Sequence, residues 1–316
     1  MRASVIIPVF NGAATIAIAL RSALDQEFAE PYEVIVVDDG STDATAQVLA
    51  TFEARIKTVT QANRGLAAAR NAGAAAASAD TEYLAFLDAD DTWRADKLAL
   101  SLAALDRNPK AVLAYSDILP VDSEDAPVQE SFVTAEFAHA PSMAELLRRW
   151  WPILPSSVVM RREVFVRSGG FCEKFHRAYE DVDMWLRARE LGDFEYVAAP
   201  LVRYHTTPID ERMARYEEDY TVFIARLQER YGADCQELLR ATRRAYASSL
   251  GHRGLIAMHS GDPAAARHYL GRALHYRPLS TRNALRWLRT FMPRRIARAL
   301  SGRTTARLER SRPEFE

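Results

Sequence analysis

Tyr83-Leu84-Ala85-Phe86-Leu87-Asp88-Ala89-Asp90-Asp91 decides the fold class of this chain. Five mostly apolar residues run unbroken into three carboxylates within four positions. A short run of this kind reads as a buried strand of a parallel sheet that delivers charge at its C-terminal tip. In open α/β sheets that tip is where ligands bind. Three crowded carboxylates repel one another, so a positive partner belongs among them, most simply Mg²⁺ or Mn²⁺. The competing reading is a solvated acidic turn that caps a helix beginning near Thr92.

Working outward, the same pattern repeats. Ala3 to Phe10 is β-branched and should be a central strand that ends at the turn Asn11-Gly12; Pro8 requires the ladder to finish there. Thr15 to Leu24 has helical spacing. Tyr32 to Val37 is a second buried strand, closed by Asp38-Asp39-Gly40-Ser41-Thr42-Asp43. Gly40 suits the tight turn, and Ser41 or Thr42 is the expected N-cap of a helix over Ala44 to Phe52. A third strand, Ile56 to Thr60, and an alanine-rich helix, Gly65 to Ala79, lead into the opening stretch. Strands alternating with helices over short links predict a doubly wound, mostly parallel sheet with helices on both faces. Two strands ending in acids put two acidic tips on one edge, a repetition that core packing does not require.

Beyond Trp93 the pattern changes. Leu98 to Leu105 reads as a helix, Ala111 to Tyr115 as a strand and Ser123 to Ala140 as an acidic excursion. A helix from Ser142 ends in Trp150-Trp151-Pro152. Pro155 to Met160 is a strand, Arg162 to Arg167 a short helix, and Gly169-Gly170-Phe171 a turn. Tyr179 to Leu186 opens a helix with acids in its first turn, where the macrodipole favours them. Tyr196 to Ala198 and Leu201 to His205 are two late strands. From Glu211 onward the chain is helical, broken at Gly261-Asp262-Pro263; Ala264 to Pro278 resembles one tetratricopeptide-type helix pair. Nine arginines from Arg286 to Arg312 then interleave with Leu285, Trp287, Leu288, Phe291, Ile296 and Leu300. That composition fits an interfacial helix as well as a packed helix with a basic solvent face.

Composition narrows the function classes. A formal net charge of −1 gives no global attraction to nucleic acid. Cys172 and Cys235 lack metal-ligand spacing and indicate no disulfide framework, which makes a reducing cytoplasm the expected setting. No signal-type apolar core opens the chain and no run reaches the ~20 residues that span a bilayer.

Four signatures in order carry a resemblance. They are Val5 to Asn11, Val36-Val37-Asp38-Asp39-Gly40-Ser41-Thr42-Asp43, Asn63 to Gly73, and Phe86-Leu87-Asp88-Ala89-Asp90-Asp91. Together they resemble family 2 glycosyltransferases of the GT-A fold, and Phe171 to Leu186 extends the likeness to about residue 205. The resemblance implies a Rossmann-like α/β domain over residues 1–210, its nucleotide-sugar half over 1–100 and its acceptor half over 101–210, followed by a helical region over 211–316. It implies that Pro8, Phe10 and Asn11 line the nucleoside pocket and that Asp39 accepts a hydrogen bond from uracil, a role for an acceptor-only carboxylate. Asn63 and Arg70 stand near base and phosphates. Asp88, Ala89 and Asp90 form the DxD motif, Asp88 toward the ribose and Asp90 on the Mn²⁺ or Mg²⁺ that bridges the diphosphate. Asp181 is the expected catalytic base, with Glu180 its rival and Asp183 the better structural acid. Arg203-Tyr204-His205 matches a late motif whose histidine adds a metal ligand, although Val202 stands where tyrosine is common.

The expectation is therefore a metal-dependent, inverting transferase moving a sugar from a UDP-sugar to a hydroxyl of a glycan or lipid-linked acceptor. Trp150 and Trp151 are candidates for a sugar-stacking platform. Partners expected besides the nucleotide sugar are a membrane surface on its cytoplasmic face, reached through the basic helices, and a second copy of the chain. Two alternatives come from other classes: a non-catalytic nucleotide-sugar-binding scaffold, and a Rossmann-type oxidoreductase. The latter lacks the Gly-x-Gly-x-x-Gly that dinucleotides need after the first strand.

Overall fold

The computed structural model describes residues 1–122, 124–128, 142–148, 153–175, 178–206 and 209–291. The chain divides into two compact units, residues 1–143 with 151–226, and residues 144–150 with 227–316.

The first unit opens with β1 (Ala3–Val9), α1 (Ile16–Leu24), β2 (Tyr32–Asp38), α2 (Thr45–Ala50), β3 (Lys57–Thr60), α3 (Leu66–Ala76) and β4 (Tyr83–Phe86). A two-residue β5 (Thr92–Trp93), α4 (Lys97–Arg107) and β6 (Ala111–Val121) follow. α5 (Met143–Arg148) precedes a 3-10 turn at Pro155–Ser157, β7 (Val158–Arg161), α6 (Arg162–Ser168), α7 (Glu180–Arg189), β8 (Asp193–His205) and α8 (Ile209–Tyr231). The second unit takes in α5 after Met143 and the end of α8 from Leu227, and holds α9 (Gln236–His259), α10 (Pro263–Tyr276) and α11 (Thr281–Arg289).

One eight-stranded sheet runs in the order β3-β2-β1-β4-β7-β6-β8-β5. The β3, β2, β1 and β4 strands are mutually parallel, as are β6 and β8, whereas β7 is antiparallel to both its neighbours and β5 antiparallel to β8. Reversal of β7 puts its first residues, not its last, beside the β4 tip. The tips of β1, β2, β4, β6 and β8 and the start of β7 therefore share one edge.

Local chemistry explains these elements. Every residue of β1 is buried, since the strand is covered on both faces. Pro8 fits inside it because the β4 ladder stops at Ile6↔Phe86, so the missing N–H faces no partner strand. α3 lies close on the sheet through alanines and Gly73, whose position would hold a Cβ only 2.4 Å from Ile6. Ser116 to Val121 prolongs the expected fifth strand, and the two late strands are one long β8, its pairing with β6 irregular where Asp117 meets Pro200. Neither Ser41 nor Thr42 caps α2. Ser41 Oγ accepts the Asn11 N–H instead, and the Asp43 carboxylate takes the Thr45 N–H at 3.0 Å, ahead of Ala44. No helix begins near Thr92: Thr92 and Trp93 pair with Arg203 and Val202, and the helix waits until Lys97. Trp150, Trp151 and Pro152, most of the excursion from Ser123 to Ala140, and the arginines beyond residue 291 lie outside the described residues.

Candidate active site

The first two strand tips brace each other. Asn11 leaves β1 with a left-handed φ of 52°, a conformation asparagine tolerates. Its side-chain oxygen accepts the Thr42 N–H at 2.8 Å while its own N–H donates to Ser41 Oγ at 2.9 Å. Phe10 is left half exposed beside this brace, and Pro8 is buried behind it. Asp39 is buried. One of its oxygens accepts from Gln61 Nε2 (2.7 Å) and the Arg64 N–H (3.0 Å), the other from the Gly65 N–H (2.8 Å). Of roughly four lone-pair positions on a carboxylate, one remains for a ligand. Asn63 is exposed on the same loop, and its backbone nitrogen lies where a side chain on Gly40 (φ 80°) would point.

The third tip carries the acids. Asp88 is partly buried, Ala89 packs against the core, and Asp90 is exposed. Asp91 is buried at the turn. Its carboxylate accepts from Ser156 Oγ at 2.5 Å and from the His205 N–H at 3.1 Å, tying the 3-10 turn and the β8 tip to the β4 tip. Burial first, then the neighbouring Asp90 and Asp88 charges, push Asp91 well above the usual carboxylate range. Ser156 Oγ also accepts the Asp88 N–H at 3.0 Å, and the Ser156 carbonyl accepts from Trp93 Nε1. Below it, buried Lys97 donates to Ser101 Oγ and the Ser157 carbonyl, both at 2.9 Å; desolvation brings its pKa down to about 7. A solvated acidic turn does not describe this edge.

Arg70 joins the acidic tip to α7. Only 1% exposed, it donates to Asp88 Oδ1 at 2.7 Å and to Glu180 Oε1 at 2.9 Å, with its guanidinium 5.3 Å from the centre of the Phe171 ring. Burial opposes the charge, yet the two carboxylates more than offset it and raise its pKa. The next residue, Asn71, exchanges two hydrogen bonds with the backbone of Phe171, fixing α3 to the loop that leads into α7.

Asp181 sits beside that ion pair. Part of the residue reaches solvent, while its carboxyl group is packed among protein atoms. Burial, then the charge of Glu180, push it up to about 7; the Val182 N–H and Arg70 pull the other way, and Asp88 adds to the rise. No cation among the described residues pairs with Asp181, whereas Glu180 is held by Arg70 and Asp183 by Arg187 and Arg226. A carboxylate that changes protonation near neutrality is suited to take a proton.

His205 ends β8 on the same edge. Its Nδ1 is buried and has no partner, and its Nε2 lies 3.8 Å from Asp125 Oδ1. Asp125, already paired with Arg203, is too far to hydrogen-bond that Nε2, so the orphaned Nδ1 is the feature that marks His205 as a candidate ligand. Among the described residues no three His, Cys, Asp or Glu side chains converge into a self-contained metal cage. The exposed Asp90 carboxylate and the orphaned His205 Nδ1 are donor types that a divalent cation such as Mg²⁺ or Mn²⁺ would accept.

Sequence reasoning had assigned no role to Asp91, Ser156 or Lys97. Asp91 stood in plain view as the third acid of its cluster. Ser156 had no local signal, because its partners lie more than sixty residues away, and the Lys97–Ser101 pair alone does not reveal the Ser157 carbonyl sixty residues on.

A family model described as glycosyl transferase family 2 matches residues 4–167, just over half of the chain. The amylovoran biosynthesis glycosyltransferase AmsB of Erwinia amylovora is 30% identical over 213 residues, 64% of this chain and 69% of AmsB. WfgD of Escherichia coli, a UDP-Glc:alpha-D-GlcNAc-diphosphoundecaprenol beta-1,3-glucosyltransferase, is 38% identical over 107 residues, 33% of this chain and 41% of WfgD. Staphylococcus aureus TarS 1-349, also solved in complex with UDP, superposes with a TM-score of 0.62 at 18% identity, covering 92% of this chain and 89% of that one. The matched segment contains β2 and β4, whose tips carry the acids, and an agreement of that extent means that the chain belongs to glycosyl transferase family 2 and is a glycosyltransferase with the GT-A fold.

Proposed function

We propose that this glycosyltransferase moves a sugar from a UDP-sugar to a hydroxyl of a glycan or lipid-linked acceptor, with a divalent cation bound and with inversion at the anomeric carbon. The observation that carries the reading is the Arg70 fork. By holding Asp88 and Glu180 together it brings Asp181, the next residue after Glu180, toward the acidic tip, and among the described residues no cation forms an ion pair with Asp181. Asp181 takes the proton of the acceptor hydroxyl as the acceptor oxygen bonds to the anomeric carbon and the bond from that carbon to the diphosphate breaks. One displacement from the face opposite the leaving group turns an α-linked donor into a β-linked product. Asp90 and His205 would hold Mn²⁺ or Mg²⁺, which supplies charge neutralisation for the departing diphosphate. Asp39, with Asn11, Phe10 and Pro8 beside it and Asn63 across the loop, receives the base; Asp88 and Ala89 face the ribose. WfgD, whose donor is UDP-Glc, and the UDP complex of TarS support the choice of nucleotide.

The test is a panel of UDP-sugars with Mn²⁺, comparing the native chain with Asp181→Asn. Transfer should fall by about 10²–10⁴, the usual worth of a general base, while UDP affinity stays near native. Retained turnover in Asp181→Asn removes that residue from the role.

A lipid surface is the partner that α11 fits. Leu285 and Leu288 on this helix are 61% and 52% exposed, and Phe291 just beyond it 58%. Arg282, Arg286 and Arg289 lie next to them; burial, then the charges of Arg282 and Arg289, lower the pKa of Arg286. No ion pair relieves this crowding among the described residues. No helix there is long and apolar enough to cross a membrane. A stripe of leucines flanked by crowded arginines complements the anionic headgroups of a cytoplasmic leaflet.

A further inference from the structure

We propose that Asp219, Phe223 and Arg226 of α8 are positioning residues for transfer, because they hold the turn ahead of α7 in the one conformation that aims Asp181. The proposal rests on Asp181 being the base. Tyr179, immediately before the Glu180-Asp181 pair, has φ 70° and ψ −8°. The other two non-glycine residues with positive φ among those described are Asn11 and Asp125, whose side chains tolerate that region. A buried tyrosine does not adopt it unless its surroundings impose it.

Those surroundings come from α8, far along the chain. The Phe223 ring stacks on Tyr179 with centroids 4.8 Å apart and planes 17° apart, and Phe175 and Tyr220 close the cluster at 6.4 and 6.3 Å from Tyr179. Asp219, 1% exposed, accepts the Ala178 N–H at 2.8 Å. Arg226 donates to Asp183 at 2.8 Å, and the Asp183 N–H bonds the Tyr179 carbonyl at 2.9 Å as the first rung of α7. Ala178 and Asp183 bracket Asp181 in sequence. Fixing both from α8 sets the backbone from which the Asp181 side chain projects. Residues 219–226 lie in the same compact unit as the strand tips, so α8 as far as Arg226 is part of the catalytic scaffold.

Phe223→Leu, Asp219→Ala and Asp219→Asn in the full chain test this. The charged groups that face Asp181, among the described residues, are Glu180 on its own helix, Arg70 on α3 and Asp88 at the β4 tip. Releasing the turn lets water reach the carboxylate, so the acidic limb of kcat should move to lower pH by about half a unit. A shift in position of an ångström or so should also lower kcat by about tenfold or more in Phe223→Leu and Asp219→Ala. UDP affinity should remain within about threefold, since the nucleotide contacts lie on other elements, and Asp219→Asn, which keeps an acceptor for Ala178, should lose less than Asp219→Ala. Native kcat with a native acidic limb overturns the proposal. A fall in kcat that only tracks the fraction able to bind UDP, with an unmoved limb, overturns it as well. Amide exchange over residues 178–182 separates this idea from the base assignment. Exchange unchanged in Phe223→Leu overturns the clamp, whereas turnover by Asp181→Asn overturns the base reading alone.

Discussion

At Arg70 a guanidinium with almost no solvent contact meets carboxylates from two different elements. Removing one partner of such a group leaves the others buried and uncompensated, which costs about 3 kcal/mol or more. Arg70→Met should therefore lower stability by that order in urea unfolding. It should also move the acidic limb of the rate profile upward, because the cation that favours ionised Asp181 is gone. Asp181 itself predicts a trade of stability for activity. Its folded pKa lies above the unfolded value, so the native state binds the proton more tightly, and stability falls as pH rises toward about 7. Asp181→Asn removes that penalty. Its melting temperature should exceed the native one at pH 8 by more than at pH 5, even though transfer is lost. A mutant less stable than the native chain at pH 8 contradicts this account.

Among the elements, α3 does most to assemble the site. Its alanines and Gly73 let the helix lie close on β1 and β2, and that closeness is what lets Arg70 and Asn71 reach the β4 tip, α7 and the loop before it. Replacing Gly73 by alanine gains about 1 kcal/mol of helix propensity. The new methyl meets Ile6 at 2.4 Å on a fully buried central strand, and overpacking there costs about 2–3 kcal/mol. The clash wins. Gly73→Ala should lower stability by about 1–2 kcal/mol in equilibrium unfolding, the difference between those two effects. An alanine variant as stable as the native chain would mean that α3 has room to move.

Over the whole molecule, chemistry collects in the first unit, and the second presents a helical surface of its own. There α9 and α10 pack as antiparallel neighbours, Asp262 caps α10 by accepting the Ala264 and Ala265 N–H groups, and Ser280 caps α11. Burying a leucine is worth about 1.5–3 kcal/mol and each arginine near an anionic surface about 1 kcal/mol. Neither contribution alone gives firm attachment, and together they give reversible binding. Leu285→Glu with Leu288→Glu should abolish sedimentation with phosphatidylserine vesicles and leave UDP-sugar turnover in solution unchanged. Equal sedimentation of both proteins would mean that α11 faces something other than lipid.

Motifs that act through neighbouring residues were legible without coordinates. Val5 to Asn11, Val36 to Asp43 and Tyr83 to Asp91 announce buried strands with polar tips, because strand burial and turn chemistry are local and periodic. The α/β class followed, and so did the gathering of two acidic tips on one edge. The reversed β7, the joining of two late strands into one, and the diversion of Ser41 from a helix cap to the Asn11 N–H depend on which strand lies beside which, and no local pattern encodes that. The same holds for the functional detail. Glu180 and Asp181 are adjacent acids in the chain; in the fold Arg70 reaches from α3 to pair with Glu180, while burial and the Glu180 charge push Asp181 up to about 7. Asp91, Ser156, Asp219 and Phe223 act on partners tens of residues away or more. Sequence alone determined which residues are chemically able to do the work; tertiary structure decided which of them are free to do it, because charge and burial are set by neighbours in space.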